Sequence, residues 1–497
     1  MLTQSQQLQS YYLALFGRAA DPDGLAYWQG MLDSGSVNVE EVLTLMLQSD
    51  EFADQAGGFF QPGNVEWVDL VYERLFARQA ESEAISYWSG QAAVGHDSAT
   101  LLKALMASAS VFDVEAMDAY SSIANFYSTH VSAVDYDPSQ QLVLDGFRSN
   151  EQLYDDLHAL DEAYAELRLD IAGESLEGRP LYTASVGEGG RQLMIVTQQH
   201  GDEPTGTEAA MLLLEWLSGD SETAQALREQ VTVTVMPRVN PDGFERWEKL
   251  LAGELDPELT THPRRNSADI DLNRTWDAQE VLDFSLIPET VAMRSVIASV
   301  QPDLILDYHN QNNYLNEREE LETLSLLWPT NESVSESVTA FSQQSAVALL
   351  DGASRFDYGY ISLFPGGDTP QIARNGAAID GVPTLLVEQR GLEEFQLKAL
   401  EGLALDFDAV SSAVTLEGLL GMLGVLEALA KDGFESIDPS MAELIPDRGT
   451  RAPFDELYAA ANPMQEELSS QMLAVLSEQE ASAAFAGINE FSYSEIA

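Results

Sequence analysis

Cysteine is absent from this chain of 497 residues, and basic residues are scarce. Without cysteine no disulfide can form, so the sequence leaves the redox state of its compartment open. Lysine and arginine number 24 against 82 aspartate and glutamate residues, which gives a formal net charge of −58. Nucleic acid and anionic membranes are bound through lysine and arginine, so a field of this sign repels both. We therefore expect no nucleic-acid partner.

Long apolar runs and an export signal are also lacking. The N-terminal residues 1–7 have neither the basic region nor the apolar core of a secretory signal peptide. We find no apolar run that approaches the ~20 residues needed to span a bilayer. We therefore expect no membrane span, while non-classical export and a cytoplasmic location both stay open. An acidic surface poor in lysine suits a salty environment, where ions screen self-repulsion; an ordinary acidic bacterial protein is the alternative.

The first 118 residues repeat with a period of 60. The motif that runs from Tyr12 to Ala20 recurs from Tyr72 to Ala80, and Tyr27-Trp28 recurs as Tyr87-Trp88. Apolar spacings of three and four within each copy predict amphipathic helices. Repetition at a fixed period predicts a duplicated helical unit over 1–118. The segment resembles a bacterial helical repeat domain of unassigned function, and the resemblance implies attachment to a surface or to another protein.

The rest of the chain divides into three further segments. Residues 119–150 are predicted to be a linker, and a chain longer than the ~250–300 residues of a single core is expected to contain several units. From 151 to 430, predicted strands alternate with helices, which indicates an α/β domain. Residues 431–497 show helical patterns at 441–445, 456–461 and 467–476 that prolines separate. They predict a helical C-terminal tail.

Three separated motifs place metal-binding or catalytic residue types at the ends of predicted strands. Leu193–Thr197 leads to His200 and Glu203, and two later strands deliver His309 and Glu388. Open α/β sheets gather their sites at such strand ends. Two histidines and a carboxylate suit zinc, which in catalytic sites keeps a fourth position for water. We predict His200, Glu203 and His309 as zinc ligands, and Glu388 as the base that takes a proton from the water that zinc activates.

Three further motifs occur in a fixed order around these residues: Gly173–Pro180, Asn240–Gly243 and Arg264–Arg274. The whole set resembles the zinc carboxypeptidase family that includes carboxypeptidases A and B, over roughly residues 150–430. The resemblance implies a mixed sheet, one Zn²⁺ ion, and a peptide or protein substrate with a free C-terminus. It also implies a role for each of four residues: Arg264 polarises the scissile carbonyl, Asn273 and Arg274 hold the terminal carboxylate, and Asp271 orients His200.

Some positions depart from the family pattern. Asp202 stands where related peptidases often carry arginine or asparagine, and Arg265 leaves the register of Arg264 open by one residue. The family's flexible tyrosine has no clear match, although Tyr358 and Tyr360 lie near the expected place. Arg374 is a candidate for a substitute substrate contact.

Two other functions stay open beside a metallocarboxypeptidase. The first is a zinc-dependent amidohydrolase or deacylase that acts on acylated amino acids or cell-wall peptides, because related deacylases share the His-Gly-x-Glu-Pro start. The second is a surface-binding protein in which the helical repeats act and the hydrolase site is dead. The intact set of ligand positions and Glu388 counts against the second.

Overall fold

The computed structural model describes residues 2–55, 64–76, 78–130, 133–134, 136–137, 146–219, 221–256, 260–318, 320–356, 358–392, 407–431 and 433–452. The chain divides into two compact units. One comprises Met1–Leu144, Gly402–Ala413 and Pro453–Ala497, and the other comprises Asp145–Glu401 and Val414–Ala452.

The first unit is helical, and its described helices repeat in the order that the 60-residue period predicts. Its core is formed by equivalent residues of the two copies, for example Tyr12 and Leu15 beside Tyr72 and Leu75. The helices are α1 (Gln4–Phe16), α2 (Pro22–Asp33), α3 (Val39–Leu47), α4 (Asp50–Gln55), α5 (Glu66–Phe76), α6 (Ser82–Ala93), α7 (Ser98–Ala107) and α8 (Val111–His130).

The helical unit continues beyond residue 118, because residues 119–130 of the predicted linker belong to α8. Buried polar contacts hold this part of the helix against α1. The Gln6 amide donates to Ser122 at 2.7 Å, and the Gln9 amide donates to Ser128 at 3.0 Å. Such side-chain pairs leave no signal in apolar periodicity, so the sequence placed the boundary too early. Parts of 131–150 lie outside the described residues.

The second unit is an α/β domain, as predicted. Its strands are β1 (Leu167–Glu174), β2 (Pro180–Val186), β3 (Arg191–Thr197), β4 (Val231–Met236), β5 (Leu304–Gln311), β6 (Tyr314–Leu315), β7 (Leu321–Leu327), β8 (Tyr360–Leu363), β9 (Thr384–Arg390) and β10 (Thr450–Arg451). Its helices are α9 (Asn150–Ala163), α10 (Thr205–Ser218), α11 (Glu222–Arg228), α12 (Pro241–Leu251), α13 (Pro288–Val300), α14 (Glu336–Ala353), α15 (Ala373–Ile379) and α16 (Phe407–Ala430), whose first residues belong to the other unit.

The sheet is mixed, with the order β1-β2-β4-β3-β5-β9-β7-β6-β10 and β8 paired to β7. The central strands β4, β3, β5 and β9 run parallel, while β2 and β7 flank them antiparallel. Apolar runs in the central strands are buried on both faces, which is typical of parallel strands covered by helices. The carboxyl ends of β3, β5 and β9 therefore meet at one edge, and this edge carries the site.

The described part of the predicted helical tail, 433–452, contains two short 3₁₀ helices, Phe434–Ser436 and Pro439–Leu444, and the edge strand β10. The helical patterns predicted at 456–461 and 467–476 lie outside the described residues.

Among the described residues, one helix bears on the expectation of no membrane span. Val410–Ala430, within α16, is long and apolar enough to cross a membrane by length and composition alone. Its apolar sequence is interrupted by Glu417 and Glu427. The apolar 18-residue window of this helix is 67% buried inside the protein, as in the core helix of a globular domain.

Candidate active site

The two histidines reach one point because β3 and β5 are parallel neighbours. Thr197 at the end of β3 pairs with Tyr308 on β5, so His309 lies one residue beyond this pair and His200 lies in the turn after β3. Gly201 in that turn is required, since a Cβ there would lie 2.2 Å from the backbone of Gly243. The turn also holds Gln198 at φ +54°, a conformation that non-glycine residues rarely adopt.

His200, Glu203 and His309 form one buried cluster, and their candidate ligand atoms all lie within 4.8 Å of one another. The Nδ1 atom of His200 is 2.9 Å from one Glu203 oxygen, and Nδ1 of His309 is 2.7 Å from the other. The two Nδ1 atoms are 3.0 Å apart. Two imidazole nitrogens and a carboxylate are the donor set that catalytic zinc takes. The predicted metal ligands are therefore brought together, and their chemistry fits the ion.

A carboxylate lies behind each histidine. Nε2 of His200 is 3.0 Å from Asp271 Oδ1, and Nε2 of His309 is 3.2 Å from Asp307 Oδ1. Each contact fixes the ring and leaves Nδ1 toward the centre, as carboxylates behind metal-binding histidines do. Burial acts against ionisation of Asp271, but the hydrogen bond to His200 and the charge of Arg264 hold its pKa well below the ordinary value.

Asp307 precedes His309 by two residues on β5, and the sequence analysis gave it no role. It is 1% exposed and accepts a hydrogen bond from the Gln199 amide at 2.7 Å. The signal was present in the sequence, because residues two apart on a strand share a face and Asp307 precedes His309 by two.

Glu388 projects beside the metal ligands from the next strand. It pairs in register with His309 across β5 and β9, so the two side chains share a face of the sheet. Burial raises the pKa of Glu388 to about 7, with the Glu203 charge adding to the effect and His309 opposing it. A carboxylate that titrates near neutrality is suited to accept and return a proton.

Arg264, not Arg265, faces this centre. Its Nε donates to Asp271 Oδ2 at 3.1 Å, and its Nη1 donates to Glu203 Oε1 at 3.2 Å. Arg265 contacts Asp269 at the surface. These contacts favour Arg264 for the position whose register the sequence left open.

Asn273 and Arg274 lie next to the centre but have separate partners. The Asn273 side chain accepts from the Ala373 backbone N–H at 2.7 Å, and its amide nitrogen is 3.2 Å from His309 Nε2. Arg274 is exposed, and its Nη1 donates to the Asn273 carbonyl oxygen at 2.7 Å. The structure brings both residues to the site without joining their side chains into one clamp.

One cavity opens beside the candidate ligands. It has a volume of about 200 Å³ and is lined by Asp202, Glu203, His262, Arg264, Asn310, Gln311, Asn312, Asn313, Gly391 and Leu392. A separate void of about 10 Å³ lies among Asp307, Trp276 and Ala373. The described lining residues of these two spaces include neither Tyr358 nor Tyr360.

Buried side chains of metal-binding type lie at the carboxyl ends of parallel strands, with a carboxylate beside them. This arrangement is suited to metal-dependent hydrolysis. Residues 153–346 match the family model described as zinc carboxypeptidase, and residues 2–56 match a domain of unknown function. Residues 153–346 are therefore similar to a zinc carboxypeptidase domain, as the motifs predicted, and residues 2–56 are similar to a domain of unassigned function. The zinc of that family has its matching donor set in His200, Glu203 and His309.

Individual relatives cover only parts of the chain. Carboxypeptidase D of Drosophila melanogaster is 29% identical over 181 residues, which are 33% of this chain and 13% of that protein. Carboxypeptidase M of Mus musculus is 30% identical over 151 residues, which are 28% of this chain and 32% of that protein. The chain thus spans about an eighth and a third of these relatives. A metallo-carboxypeptidase structure from Burkholderia cenocepacia has 21% identity and a TM-score of 0.42, covering 56% of this chain and 70% of the other.

Proposed function

We propose that this protein is a zinc-dependent metallocarboxypeptidase that hydrolyses the C-terminal peptide bond of peptides or proteins. The observation that carries the proposal is the convergence of His200, Glu203 and His309 in one buried cluster, with Glu388 in register on the adjacent strand. Zinc held by His200, Glu203 and His309 would act as a Lewis acid and would lower the pKa of water toward ~7.

The residues around the ion supply the remaining steps. Glu388 accepts a proton from the attacking water and returns it to the departing amine, so the peptide C–N bond breaks with no net loss of protons. Arg264 lines the cavity and carries a fixed positive charge beside Glu203. Such a guanidinium stabilises the negative charge that develops on the scissile carbonyl oxygen.

The cavity of about 200 Å³ beside Glu203 and Arg264 offers room for a peptide segment next to the candidate metal ligands.

One observation favours the amidohydrolase alternative. A free terminal carboxylate requires a positioned cation, yet Arg274 is exposed and the Asn273 amide is held by Ala373 and His309. An enzyme for acylated amino acids or cell-wall peptides would use the same zinc chemistry and depend less on that clamp. Attachment through the N-terminal repeats and the location of the protein stay predictions.

Matched peptides with a free or an amidated C-terminus separate these functions. We expect the zinc-loaded protein to release the terminal amino acid from the free acid and to cleave the amide poorly, because amidation removes the anionic partner of Arg274. Arg274→Ala should lower kcat/KM on the acid far more than on the amide. Amino-acid release is measured by chromatography.

The controls test the chemistry itself. Removal of zinc should abolish release, and Glu388→Gln should keep zinc but lower kcat by at least the ~10²–10⁴-fold typical of a general base. Equal wild-type rates on acid and amide would instead indicate an amidase or endopeptidase, and near-normal kcat in Glu388→Gln would remove Glu388 from the mechanism.

A further inference from the structure

Arg238 is a buried charge to which none of the roles above assigns a function. It lies between β4 and α12 and is 2% exposed, and its Cζ atom is 3.6 Å from the centroid of the Phe244 ring. Its Nη1 donates to Asn150 Oδ1 at 3.2 Å, and its Nη2 donates to the Arg148 carbonyl oxygen at 2.6 Å. Its Nε donates to Gln198 Oε1 at 2.9 Å. Arg238 therefore connects the start of α9 to the turn after β3 that carries the metal ligands.

Gln198 spans the turn that carries His200. Its amide nitrogen donates to the Gly201 carbonyl oxygen at 2.8 Å, so the side chain closes the turn around His200. Its amide oxygen accepts hydrogen bonds from Arg238 Nε and, at 2.7 Å, from Thr207 Oγ1. Because a guanidinium can only donate, Arg238 fixes the amide with its oxygen toward the arginine and its nitrogen toward Gly201.

Two threonine hydroxyls complete a closed ring of hydrogen bonds. The Arg238 backbone N–H donates to Thr197 Oγ1 at 3.1 Å, and the hydroxyl oxygens of Thr197 and Thr207 are 2.8 Å apart. Since Thr207 uses its single hydrogen on Gln198, Thr197 is the donor in that pair. Every member of the ring is at most 2% exposed. Loss of one member therefore leaves a buried polar group without its partner, which is costly.

Two members of this ring have backbone conformations that disfavour a side chain. Gln198 has φ +54° and Arg238 has φ +52°, which is the left-handed region that glycine adopts freely. Such conformations persist where surrounding contacts hold them in place. The Asn240 backbone N–H, which donates to the Gln198 carbonyl oxygen at 2.9 Å, is one of these contacts. The Arg238 side chain, through its bond to the Gln198 amide, is another.

We propose that Arg238 is a positioning residue of the metal centre, which acts through Gln198 to hold His200 and Glu203 in the geometry that zinc requires. An apolar side chain would pack on Phe244 equally well, but it would donate nothing to the Gln198 oxygen. This inference rests on the proposed function, because it concerns the support of the proposed zinc site. Its test does not depend on which substrate is cleaved.

Zinc affinity is measured by competition with a chelator, at a temperature where the metal-free form of every variant is folded. We expect Arg238→Gln to bind zinc ~10–100-fold more weakly than the wild type, which is the loss typical of a missing partner behind metal ligands. Arg238→Lys should keep part of the affinity, because an ammonium group also donates. With Co²⁺ in place of zinc, the visible spectrum of Arg238→Gln should differ from that of the wild type, since it reports ligand geometry. A purely structural role would lower the melting temperature of the metal-free protein and leave this spectrum unchanged.

A double-mutant cycle shows whether Arg238 acts through Gln198. Gln198→Ala removes the bridge to Gly201 and should also weaken zinc binding by ~10–100-fold. In the Gln198→Ala background, Arg238→Gln should cause little further loss, because the contact through which it acts is already gone, whereas independent effects would multiply. If Gln198→Ala does not fold, Gln198→Gly carries the cycle, because glycine adopts this φ without strain. Arg238→Lys carries it if Arg238→Gln does not fold.

Arg148→Gln is the matched control. The Arg148 side chain pairs with Glu208, and the same carboxylate lies 4.0 Å from Arg238 Nη2. The substitution therefore removes an equal charge from beside the same buried acid. It keeps the Arg148 carbonyl oxygen that Arg238 uses and leaves the bond to Gln198 in place. Zinc affinity in Arg148→Gln should equal that of the wild type.

The outcomes are separable. A wild type that binds no zinc overturns the proposed function and this inference together. If the wild type binds zinc and releases the terminal amino acid, but Arg238→Gln binds zinc as tightly, this inference alone is overturned. Losses that multiply in the double variant, or an equal loss in Arg148→Gln, also overturn it, because Arg238 would then act by another route or through its charge alone.

Discussion

At the scale of single residues, the candidate site includes two carboxylates that contact the histidines from behind. Asp271 and Asp307 each hold the Nε2 atom of a histidine, which selects Nδ1 as the atom that faces the centre. An imidazole free to rotate would offer either nitrogen to the ion. Loss of such a partner typically lowers metal affinity by ~10–100-fold.

A graded pair of substitutions tests this arrangement. His309→Ala should remove tightly bound zinc and largely keep the fold, because His309 is not part of the hydrophobic core, to which Leu304 and Tyr308 of the same strand belong. Asp307→Asn should still bind zinc, but its zinc affinity should be ~10–100-fold lower, because the asparagine side chain positions the His309 ring without supplying a negative charge. Zinc content after dialysis and affinity by competition with a chelator measure the two effects.

His262→Ala is the control, because this histidine lines the cavity with 60% of its side chain exposed and contacts no ligand atom of the cluster. It should bind zinc as the wild type does. Normal zinc content in His309→Ala, or zinc loss in His262→Ala, would contradict the assignment of the ligands.

At this scale, the sequence predicted residues that the structure brings together, but it could not predict their contacts. His200, Glu203, His309 and Glu388 were predicted because metal-binding and acidic residue types follow apolar runs. Arg264 is distinguished from Arg265 only by the hydrogen bonds that it makes in the structure. The burial of Arg374 was not predicted, because it arises from packing between α15 and the segment that follows β8.

At the scale of elements, α16 carries a polar group into the core. Glu417 is 1% exposed and accepts a hydrogen bond from Thr323 on β7 at 2.7 Å. Burial raises the pKa of Glu417 to about 8. The hydrogen bond from Thr323 and the charge of Arg390 lower this pKa, but by less than burial raises it. The side chain is therefore protonated in the folded protein at neutral pH.

This shift makes stability depend on pH in a defined direction. Between pH ~4.5 and about 8, the folded state keeps a proton that the unfolded state has lost. Folding stability from this group therefore falls as pH rises, by ~1.4 kcal/mol per pH unit at most. Glu417→Gln removes the titrating group and keeps the shape, so its melting temperature should exceed that of the wild type increasingly from pH 5 to pH 8.

Glu427→Gln on the same helix is the control, because its carboxylate pairs with Arg355 near the surface. The difference in melting temperature between Glu427→Gln and the wild type should not grow from pH 5 to pH 8. If the difference in melting temperature between Glu417→Gln and the wild type stayed constant from pH 5 to pH 8, Glu417 would not hold its proton in the folded protein.

Element boundaries could be predicted in part. The central strands follow from their apolar runs, and the period of 60 predicted paired helices of the first unit. The edge strands β6 and β10 have two residues each, so they are too short to show the alternation of apolar and polar residues that predicts a strand. The extension of α8 past residue 118 depends on amide and hydroxyl contacts with α1, which periodicity does not report.

At the scale of the whole molecule, charge is the dominant property. If each of the 24 basic side chains were paired with one carboxylate, 82 − 24 = 58 acidic side chains would still lack a basic partner. Repulsion among them disfavours the compact state, and its range is the screening length of the solution. That length is ~10 Å at 0.1 M salt and ~30 Å at 0.01 M.

We therefore expect the melting temperature of the zinc-loaded protein to rise as NaCl increases from 0.01 M to 1 M or more. The steepest part of the rise should fall at low salt, where the screening length changes most. KCl at equal ionic strength should give the same curve, because screening depends on ionic strength and not on the identity of the cation. Scanning calorimetry at constant pH and constant free zinc measures the effect. A melting temperature that does not change across this range would show that the acidic surface is not an adaptation to salt, whereas a rise with one cation only would indicate specific ion binding instead of screening.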